Sequence, residues 1–133
     1  MNPEELKKRT KQFALRILKL VSALPNNVQG RAIGGQLVRS GTSVGSNYRA
    51  ACRGRSKAEF IAKLGIVEEE GDESVYWMEL IIEAELLKQQ QVEPLLNEAQ
   101  ELTRIMQNRE SRHHRDSHVA ATTNRQLAIG NRQ

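Results

Sequence analysis

Ser56-Lys57-Ala58-Glu59-Phe60-Ile61-Ala62-Lys63-Leu64-Gly65-Ile66-Val67-Glu68-Glu69-Glu70-Gly71-Asp72-Glu73-Ser74-Val75-Tyr76-Trp77-Met78-Glu79-Leu80-Ile81 carries two independent helix signals. Its first four residues match a capping box, in which a serine and a glutamate three positions later each satisfy a backbone amide at a helix start. Phe60, Leu64, Val67, Gly71, Ser74, Met78 and Ile81 then recur at alternating spacings of four and three, the pattern of a bundle seam. The run predicts a helix from Ser56 to about Lys88, roughly 45 Å long at 1.5 Å per residue. Gly71 falls in mid-seam, where it either permits close packing or leaves a weak point.

Upstream, Arg53-Gly54-Arg55 ends a preceding helix, which reads from about Val28 to Cys52 on the stripe Ile33, Leu37, Val44, Tyr48 and Ala51. Gly30, Gly34, Gly35, Gly41 and Gly45 weaken it, each by roughly 1 kcal/mol against alanine. Gly34, Val38, Gly41 and Gly45 form a second stripe of mostly small residues where another helix can approach closely. The rival reading is a kink or local break near Ser40-Gly41-Thr42-Ser43. Before it, Pro25-Asn26-Asn27 forms a short turn, and Leu6, Phe13, Ile17, Leu20, Val21 and Leu24 line one side of a first helix.

Downstream, Gln89 to Glu93 reads as a turn, with Pro94 as the first residue of a fourth helix striped by Leu95, Ala99, Leu102 and Met106. After about Arg109 there are few large apolar residues and no periodicity. The expected architecture is all-α: an up-and-down four-helix bundle over residues 1–110, with a polar, disordered C-terminal tail over 111–133.

Charge is segregated along the chain. Residues 1–58 hold twelve Lys and Arg against two acids, 59–103 two against twelve, and 104–133 six against two. One reading is that basic helices lie beside acidic ones and neutralise them, within the bundle or between subunits. The other is a basic face for nucleic acid, built from Arg31, Arg39, Arg49, Arg53, Arg55 and Lys57 in a stretch with no acid. Guanidinium groups pair with phosphate oxygens, and an unopposed basic strip releases counterions. Only Tyr48 is interleaved as a stacking residue. Tyr76 and Trp77 are adjacent on the third helix, so one of them faces outward as an interface residue unless a broad core takes both.

No catalytic constellation is present. A dinuclear carboxylate site needs Glu-x-x-His motifs, but His113, His114 and His118 all lie in the tail, away from Glu68, Glu69, Glu70, Glu73, Glu79 and Glu83. No phosphate-binding Gly-x-x-x-x-Gly-Lys-Ser/Thr occurs, and no serine has a histidine base. No metal or cofactor is expected, and the protein reads as non-enzymatic. Lone Cys52 reads as a small buried hydrophobe. Without an apolar run of membrane length or a signal block, a cytoplasmic location is expected, with no membrane partner.

The residues from Ser43 to Leu87 closely resemble the bacterial family of 23S rRNA intervening-sequence proteins. The matching features are Ser43 and Asn47, Gly54-Arg55-Ser56, Glu59-Phe60 and the run from Glu68 to Glu79, with weaker similarity extending over about residues 6–108. The sequence departs at Gly71, where the family commonly has alanine, which touches local helix stability. The resemblance implies a left-handed four-helix bundle that associates as a homopentamer. It also implies kinship with the accessory protein of diversity-generating retroelements, a basic pentamer that binds nucleic acid and a reverse transcriptase. Two functions are thus in view: an oligomeric bundle binding RNA or DNA through its basic surface, or a scaffold that oligomerises through complementary helices and recruits a protein partner.

Overall fold

The computed structural model describes residues 1–130, which form four helices in series: α1 (Pro3–Ser22), α2 (Val28–Cys52), α3 (Lys57–Glu83) and α4 (Gln89–Gly130). No strand occurs among the described residues. α1 packs on α2, α2 on α3, α3 on α4, and α4 returns to α1, while the backbones of the diagonal pairs stay apart. Helices joined by short turns and packed in chain order make an up-and-down bundle.

Local chemistry starts each of the first three helices. Asn2 accepts from the Glu5 amide at 2.9 Å and the Glu5 carboxylate accepts from the Asn2 amide at 3.2 Å, a complete capping box on α1. Asn27 caps α2 by accepting from the Gly30 amide at 2.8 Å. Ser56 caps α3 as its sequence predicts, accepting from the Glu59 amide at 3.1 Å. The Glu59 carboxylate differs from the expectation by one residue, taking the Arg55 amide at 2.9 Å.

The stripes read from the sequence are the core. Leu64, Val67, Gly71, Ser74, Met78 and Ile81 of α3 are buried against Leu6, Phe13 and Ile17 of α1, Leu37, Val44, Tyr48 and Ala51 of α2, and Leu95, Ala99, Leu102 and Met106 of α4. α2 runs unbroken through Ser40-Gly41-Thr42-Ser43, so no local break interrupts it there. Its glycines seat α1: a Cβ at Gly41 would lie 2.7 Å from Ile17 Cγ1, and one at Gly45 3.3 Å from the Thr10 carbonyl oxygen. Buried Thr10 escapes the apolar reading because its hydroxyl bonds back to the Leu6 carbonyl at 2.9 Å.

The turn between α3 and α4 comes earlier than expected. α3 ends at Glu83, Glu85 takes a left-handed φ of 57°, and the Leu86 amide bonds back to the Ile81 carbonyl at 3.0 Å. Leu86 and Leu87 pack on the core, which offsets the roughly 1 kcal/mol or more that a left-handed non-glycine residue costs. α4 therefore starts at Gln89, and Pro94 sits inside the helix instead of opening it.

The stretch expected to be a disordered tail is helical as far as Gly130, and residues 131–133 lie outside the described residues. Extending an existing helix adds a hydrogen bond for each residue fixed, without a new nucleus. Arg112, His114, Arg115, Asp116, Val119 and Leu127 of this stretch are exposed, while His113 is half-buried beside Phe60.

Candidate nucleic-acid interface

The segregated charges meet first inside the bundle. Arg39 of α2 pairs with Glu70 of α3 at 3.2 Å and with Glu73, while Arg9 of α1 grips both carboxylate oxygens of Glu98 on α4, at 2.9 and 2.7 Å. Each pair bridges a basic helix and an acidic stretch. The hydrogen bond from Arg39 holds the Glu73 carboxyl below its ordinary pKa and raises that of Arg39 in turn. Arg39 is thus engaged by acids, which is the neutralising reading and takes it out of a free basic surface. Arg31 is exposed and donates to the Asn26 side-chain carbonyl at 3.1 Å.

Arg49, Arg53, Arg55 and Lys57 are placed differently. Arg49 lies on the last turn of α2, and Arg53 caps its C-terminus four residues on. Arg55 follows in the turn, and Lys57 opens α3. All four are exposed, and among the described residues none of their side chains forms an ion pair or hydrogen bond. Glu59, next along α3, spends a carboxylate oxygen on the Arg55 amide.

The fold adds groups that the sequence reading left out. The guanidinium of Arg109 on α4 donates to the Met1 carbonyl, and Arg112 lines the same hollow as Met1, Ile105 and Asn108. One turn on, the His113 ring stands edge-on to Phe60, centroids 4.8 Å apart. These contacts bring the start of α1, the turn between α2 and α3, and residues 109–113 of α4 to one end of the bundle. The up-and-down order was the signal for this, since it returns the fourth helix to the level of the second turn. Beneath the end lies Tyr48, its phenol pKa raised by burial and by a bond to half-buried Cys52.

Residues 4–108 match the family described as 23S rRNA-intervening sequence protein. The chain belongs to that family. A solved structure from Bacteroides thetaiotaomicron, described as a protein with unknown function from the S23 ribosomal protein family, is 37% identical, with a TM-score of 0.72. The match covers 76% of this chain and 94% of that one. A comparison with curated proteins finds no match.

Elsewhere the chain presents acids. Glu69, Asp72, Glu79 and Glu83 are exposed along α3, with Tyr76 among them at 57% exposure. Trp77 turns inward, half-buried against the core, its indole N–H donating to Glu73 at 3.2 Å. The adjacent aromatics thus divide, Tyr76 outward and Trp77 inward. Glu68 of α3 meets Glu110 of α4, and burial followed by the bond to Glu110 pushes the Glu68 carboxyl up to about 7. The imidazole of His114 lies 3.7 Å from Glu110. Among the described residues no group of three or more His, Cys, Asp or Glu is placed to hold a metal, and no helix is long and apolar enough to cross a membrane. A hollow of about 540 Å³ under the turn between α3 and α4 holds one acid, Glu85, and one base, Lys88, with no nucleophile beside them.

Proposed function

We propose that this protein is a non-enzymatic, oligomeric helical bundle that binds RNA or other nucleic acid through the end built from Arg49, Arg53, Arg55 and Lys57. The observation that carries the reading is the contrast between these four side chains, exposed and without acidic partners, and Arg9 and Arg39, which acids of neighbouring helices engage. Bases held in reserve at one end supply the counterion release that drives association with a polyanion. Self-association into a ring is part of the proposal and is read by sedimentation.

The test is binding to labelled RNA and DNA, duplex and single-stranded, across a salt series, beside the Arg53→Ala, Arg55→Ala, Lys57→Ala triple variant. Binding that weakens with salt and falls in the folded variant supports the reading; no binding at low salt removes it. A second reading, a scaffold that recruits a protein, is favoured by the acidic stripe of α3 with Tyr76 exposed in it. Loss of a partner on Tyr76→Ala without loss of nucleic-acid binding would favour that scaffold.

A further inference from the structure

The α4 helix continues past the bundle from the same end that carries the free bases. Arg112, Arg115, His118, Thr122 and Arg125 recur along it at spacings of three, three, four and three, and all five are exposed. At 3.6 residues per turn they fall within about 140° of the helix circumference. The acids of this stretch, Glu110 and Asp116, fall outside that arc on either side, and Glu110 lies against Glu68 and His114. The outcome is a helical arm with one basic face, about 20 Å long from Arg112 to Arg125.

Its surroundings narrow the polyanion it fits. Single strands are held by bases stacked on exposed aromatic rings. Among the described residues this end exposes no Phe, Tyr or Trp ring: Tyr48 is buried, Phe60 is half-buried against His113, and Tyr76 lies about 24 Å further along α3. A duplex, gripped by its phosphates, needs no such ring. A lone helix about 10 to 12 Å across fits the major groove of B-form DNA, about 12 Å wide. The major groove of A-form RNA is too deep and narrow for side chains to read.

We infer that the α4 arm lies in the major groove of double-stranded DNA while Arg49, Arg53, Arg55 and Lys57 hold the flanking phosphates. This rests on the nucleic-acid reading above and deepens it by naming the ligand. The full-length protein is titrated with a duplex DNA of about 30 base pairs, the RNA duplex of the same sequence and the single DNA strand. Two variants run alongside: the arm variant Arg112→Ala, Arg115→Ala, Arg125→Ala, and the end variant Arg53→Ala, Arg55→Ala, Lys57→Ala. Circular dichroism checks that both are folded.

The expected result is at least tenfold tighter binding of duplex DNA than of either other ligand. The arm variant erases that preference and makes the salt dependence on DNA shallower by about 2 to 3 in log–log slope, while the end variant weakens all three ligands together. Equal affinity for the two duplexes overturns the inference, as does an arm variant that binds DNA like the wild type while the end variant is weakened; both leave the nucleic-acid reading standing. A wild-type protein that binds no nucleic acid removes both.

Discussion

The Thr103 hydroxyl of α4 occupies the space where a side chain at Gly71 of α3 would begin, for a Cβ there would lie 2.3 Å from Thr103 Oγ1. That hydroxyl is buried and donates to the Ala99 carbonyl at 2.8 Å, so it cannot move away without loss. Gly71→Ala gains about 1 kcal/mol of helix propensity and meets an overpacking penalty of about 1 to 3 kcal/mol. The expected outcome is a lower melting temperature for Gly71→Ala, reversed when Thr103→Ala is added. A Gly71→Ala variant more stable than the parent would show that the two helices do not need this approach.

Ser40 and Ser74 join α2 to α3 through a hydroxyl contact of 3.0 Å between fully buried side chains. Ser74→Ala leaves the Ser40 hydroxyl with the Leu37 carbonyl of its own helix, a 3.4 Å contact, and is expected to cost about 1 kcal/mol. The double alanine variant should cost less than the sum of the singles, because both polar groups then leave the core together. Urea denaturation of the four-member cycle measures the coupling, and strict additivity would contradict it.

Glu68 and Glu73 share a helix, and their surroundings shift their pKa values in opposite directions. The Glu68 carboxyl, raised to about 7 by burial and Glu110, binds a proton in the folded chain that the unfolded chain has already released. Stability therefore falls as pH rises from about 4.5 towards 7 and then levels. Glu68→Gln should leave stability unchanged at pH 4 and raise it at pH 8, by about 1 kcal/mol after allowance for the solvent exposure of the pair. Glu73, lowered by Arg39, contributes in the other sense, its stabilisation being lost only as pH falls through its folded value. Thermal melts across pH check the first and carboxyl NMR titration both; a Glu68 that titrates below Glu73 would refute the pairing.

Glycines that seat no neighbour should be replaceable with gain. A Cβ at Gly35 or Gly65 meets nothing within 4 Å, so alanine at either position is expected to stabilise by about 0.5 to 1 kcal/mol. Gly41→Ala should destabilise, since its Cβ would press on Ile17 at 2.7 Å. Melting temperatures that move the same way for all three would contradict this division.

Much of the fold was legible because its signals are local. Ser56 announces α3, and the stripe from Leu64 to Ile81 is buried residue for residue. The left-handed Glu85 was not legible, since a glutamate there carries no turn signature and only the packing of Leu86 and Leu87 sets it. The candidate site was half legible. Composition named Arg49, Arg53, Arg55 and Lys57, which the fold leaves open, but equally Arg39, whose partners Glu70 and Glu73 lie more than thirty residues on in the chain. Arg109 and Arg112 needed the fold order to be placed beside them.

The ring of helices in chain order has a kinetic side. Three of its four seams join elements consecutive in sequence, which form with little loss of chain entropy, so contact order is low and collapse should be quick, in the millisecond range or faster. The seam between α1 and α4 is the exception, its ion pair from Arg9 to Glu98 spanning 89 residues. A hairpin pair and a third helix can zip in any order, but that last closure waits on the rest. Opening is by the same reasoning expected to begin where closure came last, along the line where the first helix lies against the fourth.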